Sequence, residues 1–177
     1  MTAIEPSVGG AYGRVDPPDD VALREQFLTF EIAGETYGVA LSSVDEIIGF
    51  QRMTVVPDAA GAVVGVINLR GTVVPVVDVR RRFGMEAREV DERTCIIVVH
   101  VRDESIGLLV DTVSEVVDAP AAAIEKAPRS AADPSATSMI RGLVRVEDDV
   151  KILLDVERLL FDDVDGEAPG EHEEKRA

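Results

Sequence analysis

The sequence predicts a mainly β protein: two similar small β-barrels related by internal duplication, with a few short helices. Three observations predict it. The apolar share is 46% while aromatics make up only 4% and tryptophan is absent. A core must then be built from Val, Ile and Leu, and β-branched side chains favour strands. Apolar stretches are short and punctuated by turn residues, which is the pattern of many short strands. The chain also repeats itself, which points to a duplicated unit.

The elements follow in order. Residues 1–23 carry Gly9-Gly10, Pro17-Pro18 and Asp19-Asp20 without periodicity, predicting a disordered leader. It has neither the basic start nor the apolar stretch of a signal peptide. Phe27-Leu-Thr-Phe-Glu-Ile32 predicts a strand, Gly34-Glu35 a turn, and 36–41 its hairpin partner. Ser42-Ser43-Val-Asp-Glu46 has capping-box spacing, so a short helix is expected there, ended by Gly49. Strands are expected at 63–69 and 73–77 around Arg70-Gly71-Thr72, then a helix at 79–83 capped by Asp78 and stopped by Gly84. Further strands are expected at 94–101, 106–110, 143–146 and 150–154. Asp155 is expected to cap a last helix through Leu160, and 118–138 to form a long connection. From residue 162 seven acidic residues predict a disordered tail.

The repeat has two registers. At an offset of 69, residues 27–48 lie on 96–117, matching Gly38 with Gly107, Val44 with Val113 and Glu46 with Glu115. At an offset of 77, residues 65–83 lie on 142–160, matching Gly65 with Gly142, Asp78 with Asp155 and Arg81 with Arg158. Short strands without a long helix cannot shield an open sheet, and closure into small barrels removes the edges. Residues 24–161 are therefore expected to form one body of two intertwined barrel subdomains with a groove between them. The halves differ at one hairpin tip. Arg70-Gly71-Thr72 stands in the first half where Glu147-Asp148-Asp149 stands in the second, and that asymmetry directs attention to Asn68, Arg70 and Gly71.

Charge narrows the function. With 34 acidic against 18 basic side chains the net charge is −16, which repels nucleic-acid backbones. The excess acid reads as a solvated surface, or as one suited to a salt-rich cytoplasm. The single cysteine, Cys95, reads as a small core hydrophobe in a reducing compartment. No apolar run approaches the ~20 residues of a membrane span, so no direct membrane insertion is expected. The two histidines have no partners at ligand spacing, no phosphate loop follows Gly61, Gly65 or Gly71, and no acid–base constellation appears. The expectation is a cytoplasmic protein without metal, cofactor or catalysis. Arg80, Arg81 and Arg82 on one short helix are expected to pair with local carboxylates.

Gly65-Val-Ile-Asn-Leu-Arg-Gly71, then Pro75-Val-Val-Asp-Val-Arg80, then Phe83-Gly84, resembles the signature of the CheW family. The resemblance covers about 26–160. It implies two five-stranded, SH3-like barrels and a non-enzymatic adaptor of chemotaxis signal transduction. Its implied partners are methyl-accepting chemotaxis receptors and the regulatory domain of the histidine kinase CheA of a two-component system, so the protein would be recruited to membrane receptor arrays. Carried over, it places Val44, Glu46, Ile48, Gly65, Asn68, Leu69, Arg70, Gly71 and Val113 at the receptor groove. Val44, Ile48, Leu69 and Val113 would form its floor, and Glu46 is expected to orient Arg70 through an ion pair. It places kinase contacts at Met53, Val55, Val56 and Pro57, and a second contact around Ser130. The sequence departs there: Ser130 is polar where a large apolar residue is expected, and the 57–61 stretch lacks a second proline. A same-class alternative is an adaptor of another receptor–kinase pathway, such as motility or pili. A nucleic-acid-binding small barrel would need basic and aromatic faces that this chain lacks.

Overall fold

The computed structural model describes residues 23–57, 59, 61–127 and 138–161. Its elements run β1 (Arg24–Ile32), β2 (Glu35–Ala40), β3 (Val44–Gly49), β4 (Val63–Leu69), β5 (Thr72–Asp78), α1 (Val79–Arg82), β6 (Cys95–Val101), β7 (Glu104–Val110), β8 (Thr112–Pro120), β9 (Ile124–Glu125), β10 (Ile140–Val146), β11 (Asp149–Leu154) and α2 (Val156–Phe161). The strands make two sheets. The first has the order β8-β1-β2-β11-β10-β9 and the second β3-β6-β7-β5-β4. The class is mainly β with short helices, as expected.

The repeat is visible in the strand pairing. In the second sheet Val76 lies beside Gly107; in the first Leu153 lies beside Gly38, at positions related by the two offsets. Likewise Val44 faces Val99 and Val113 faces Phe30. The halves are interleaved: each sheet takes one hairpin (β1–β2 or β6–β7) from one half and its remaining repeated strands from the other. This exchange buries both faces of each hairpin. A central cluster draws Leu28, Phe30 and Val39 from the first sheet and Ile97, Val99 and Leu108 from the second. Separate clusters fill each sheet's far face, around Phe27, Val117 and Leu153 in one and Ile67, Val76 and Ile96 in the other. A strand covered on both faces must be apolar throughout, which accounts for the unbroken run from Ile96 to Val99. By ladder pairing each sheet keeps two edges, β8 and β9 in the first, β3 and β4 in the second.

Two local expectations change. No helix starts at Ser42. Leu41–Ser43 is a single 3-10 turn, without a side-chain cap, and β3 follows at once. The four-residue capping signal loses to the alternation of half-buried Val44, Glu46 and Ile48 with exposed Asp45 and Ile47, which fits a strand laid on β6. The connection after 118 is also shorter than expected: β8 runs to Pro120, followed by a 3-10 turn at Ala121–Ala123 and β9. The tail, residues 1–22 of the leader, and Ser130 lie outside the described residues. The helix caps are as expected. Asp78 Oδ1 accepts the Arg80 N–H at 2.9 Å, and Asp155 Oδ1 accepts the Arg158 N–H at 3.1 Å.

Candidate functional site

Arg70 and Gly71 form the two-residue connection between β4 and β5, with Leu69 paired to Thr72. Both have positive φ, 51° and 84°. Two left-handed residues in succession match the right-handed twist of a tight hairpin, and glycine accepts the second at no steric cost. Asn68 Oδ1 accepts the Gly71 N–H at 2.9 Å and locks the turn. Asn68 and Gly71 thus build the tip, and Arg70 projects from it with 76% of its side chain exposed.

Arg70 is nonetheless held. Its Nη2 donates to Glu46 Oε2 on β3. The Glu46 side chain is only 23% exposed and stands opposite Val98 in the β3–β6 ladder. Because β3 and β4 are the two margins of the second sheet, this pair ties one margin to the hairpin that carries the other. Leu69, Val74 and Val98 line a hollow with Glu46 and Arg70. An ion pair this exposed contributes only about 0–1 kcal/mol to stability. Its effect is on direction: Glu46 takes one amine of the guanidinium, and the remaining N–H groups stay available for oxygen atoms above the hollow.

The other expected groove residues divide. Ile48 and Leu69 pack against the second sheet's own cluster, whereas Val44 and Val113 pack against the central one. Val44 and Val113 are repeat equivalents, one on a strand of each sheet, and both pack against the same central cluster. Gly65 belongs to a different feature. A Cβ there would stand 2.8 Å from the Thr54 carbonyl oxygen, and Thr54 bridges Val66 in both directions at 2.9 and 2.8 Å. Gly65 therefore lets the 53–57 segment lie on β4. Gly65→Ala is expected to cost about 1–3 kcal/mol, since the clash is with backbone. Urea unfolding would read the cost, and faster amide exchange at Thr54 and Val66 would locate it. On that segment Met53 packs inward while Val55 and Val56 are 74% and 39% exposed.

Sequence reasoning missed a buried charge cluster at Asp111. Arg80 Nε and Nη2 donate to Asp111 Oδ1 and Oδ2 at 2.8 and 2.6 Å, the Ala33 N–H donates to Oδ2 at 2.9 Å, and Arg88 lies 3.3 Å away. Burial pushes the Asp111 carboxyl up, but the Arg80 guanidinium, the Ala33 amide and the charges of Arg80 and Arg88 outweigh it and hold it below the ordinary value. A signal existed: within the repeat Asp111 replaces Ser42 and Arg80 replaces Glu157, two charge mismatches that complement each other.

A family model described as a CheW-like domain matches residues 26–163. The chain belongs to the CheW family. It is 35% identical over 136 residues to the chemotaxis protein CheW of Klebsiella aerogenes, covering 77% of this chain and 81% of that one. It is 38% identical over 122 residues to CheW of Rhizobium meliloti, covering 69% and 78%. The crystal structure of the scaffolding protein TtCheW from Thermoanaerobacter tengcongensis superposes with a TM-score of 0.70 at 29% identity, covering 77% of this chain and 88% of that one.

CheW is a chemotaxis adaptor family, and the asymmetry between the two sheets of this member becomes legible in that light. Where the second sheet has Glu46, Val74 and Arg70, the first has Glu115, Lys151 and Glu147. Lys151 is buried, its ammonium 3.3 Å from Glu115 Oε1, and the first sheet's tip is acidic. Only the second sheet presents a guanidinium at its tip. Among the described residues no helix is long and apolar enough to cross a membrane.

Proposed function

We propose that this chain is a non-enzymatic chemotaxis coupling protein that works in the cytoplasm. It binds the tips of methyl-accepting chemotaxis receptors and the regulatory domain of the histidine kinase CheA, so that receptor state reaches kinase activity. The observation that carries this reading is the exposed Arg70 guanidinium, aimed by Glu46 above the Leu69, Val74 and Val98 hollow. A helical tip laid in a groove needs an apolar seat and a few directional polar anchors. Arg70 would donate to carboxylate or carbonyl oxygens of the tip in forked geometry. Glu46, Asn68, Leu69 and Gly71 would hold or surround that anchor. Val44, Ile48 and Val113 would shape its flanks.

The kinase would meet the 53–57 segment, where Met53 anchors the chain and Val55, Val56 and Pro57 face outward. A second kinase contact would involve the region of Ser130. Val55→Asp is expected to leave the melting temperature unchanged, because the side chain is already in water, and to weaken capture of the kinase with receptor binding intact. Calorimetric titration with the isolated regulatory domain would measure it, and unchanged affinity would remove Val55 from the interface.

The test of the whole reading is co-sedimentation with receptor cytoplasmic fragments displayed in trimers on vesicles, with and without kinase. The chain is expected to pellet with receptor and to carry kinase down. Capture by kinase alone would overturn the groove assignment, and capture by neither would leave only the fold and the family.

A further inference from the structure

The duplication places two equivalent clefts between the sheets, and they are not equally filled. On one side a cavity of only ≈ 20 Å³ is lined by Asp78, Arg80, Arg88, Leu109 and Asp111. At the equivalent place on the other side, Asp155, Glu157 and Ala40 replace Asp78, Arg80 and Leu109, and the cleft is ≈ 450 Å³. The difference has a chemical cause. Asp111, between β7 of the second sheet and β8 of the first, binds Arg80 of α1, the Ala33 amide of the β1–β2 turn and Arg88 of the segment after α1. Arg80 also holds that segment through the Glu86 carbonyl, at 3.3 Å, and the Met85 N–H, which donates to the Arg80 carbonyl at 2.8 Å. On the other side the repeat puts Ser42 in Asp111's place, where it is exposed, and the wide cleft is lined by the adjacent Ser43; among the described residues no buried carboxylate–guanidinium fork of this kind crosses it. There Arg102 and Glu157 pair at the surface, with side chains 57% and 53% exposed.

We infer that the two sheets move relative to each other by opening the cleft lined by Ser43, Arg102 and Glu157, with the Asp111 cluster as the hinge. A bidentate, buried ion pair joined to a backbone amide tolerates little change of geometry, because loosening it leaves charge in a low dielectric. An exposed pair beside an unfilled cleft re-forms with water at small cost. Motion of packed units therefore concentrates where contacts are sparse and solvated. The hinge holds whatever the chain binds.

Pulsed electron–electron resonance on the full chain tests it. Cys95→Ser removes the native thiol, and nitroxides go on new cysteines at two pairs of repeat-equivalent sites: Ser43 with Arg158 across the open cleft, and Thr112 with Arg81 across the closed one. The Ser43–Arg158 distribution is expected to be broader and to extend to longer distance. Equal widths, or a broader Thr112–Arg81 distribution, would overturn the inference without any further variant. Asp111→Ser, which installs the residue of the open side, is expected to broaden the Thr112–Arg81 distribution. Arg88→Ala, which removes one arm of the cluster and leaves the Arg80 pair, is expected to broaden it less. A folded Asp111→Ser protein with the parental distribution would also overturn the hinge.

Discussion

Arg70→Glu is expected to abolish receptor-dependent control of the kinase while leaving the fold intact. Arg70 is 76% exposed, so losing its pair with Glu46 costs about 0–1 kcal/mol. Its left-handed backbone is no obstacle, because the chain already carries a glutamate, Glu147, at the equivalent tip position with φ 56°. The new carboxylate would face Glu46 and repel the oxygen atoms that Arg70 is proposed to bind. Loss of an interface arginine commonly costs 2 kcal/mol or more, roughly a 30-fold fall in affinity. Binding to receptor-bearing vesicles and kinase phosphorylation with and without receptor would measure it, beside a thermal melt. Equal melting together with full signalling would refute the assignment of Arg70. Glu46→Gln separates the roles: the guanidinium remains but is aimed less firmly, so binding is expected to fall by less than in Arg70→Glu.

Asp111→Ala is expected to be among the most destabilising single changes in the chain, by about 3–5 kcal/mol. The substitution leaves Arg80, with a side chain 16% exposed, without its bidentate partner and strips the Ala33 amide of its acceptor. For a domain of this size the loss corresponds to a fall in melting temperature of roughly 10 °C. Urea unfolding at neutral pH would establish it; a change within 1 kcal/mol would show that water or a rearranged Arg88 replaces the carboxylate. The same group gives stability a pH dependence. Its carboxyl is depressed in the folded state, so the unfolded chain takes up the proton first as pH falls. The contribution is complete above the ordinary aspartate value of 3.8 and is lost as pH falls through the lower folded value. Glu25 behaves in the same direction through its hydrogen bond to Arg141 and is common to both proteins, so acid unfolding steeper in the parent than in Asp111→Ala is expected from Asp111 alone.

The local expectations that succeeded rest on short-range chemistry. Asp78 and Asp155 cap their helices because a carboxylate one residue before a helix meets unsatisfied N–H groups whatever surrounds it. The hairpin tip at Arg70-Gly71 follows from the glycine and from Asn68 three residues before it. The expectation that failed rested on a competition. Ser42, Ser43 and Glu46 satisfy a helix-start pattern, but β6 offers Val44, Glu46 and Ile48 ladder partners, with one register shift between Val44 and Glu46, and tertiary pairing outweighs a cap. The ion pair of Glu46 with Arg70 was legible only as an expectation of the family resemblance, since the two are 24 residues apart. The Asp111 cluster was signalled only by the paired charge mismatches of the repeat, and its partners come from the β1–β2 turn, α1 and the segment beyond it.

By itself the sequence determined the class of this protein. A chain rich in Val, Ile and Leu, cut into short runs and duplicated at two offsets, can bury its apolar residues only as small packed sheets. The family followed from a signature around one hairpin. What only the tertiary structure decided is how the halves combine. Each half supplies a hairpin to the other's sheet, because a hairpin that is apolar on both faces must be covered from two sides. That exchange brings Asp111 to Arg80, lays Thr54 over Gly65 and sets Glu46 beside Arg70. These contacts join residues far apart in the chain, and their free energy appears only once the two sheets are packed.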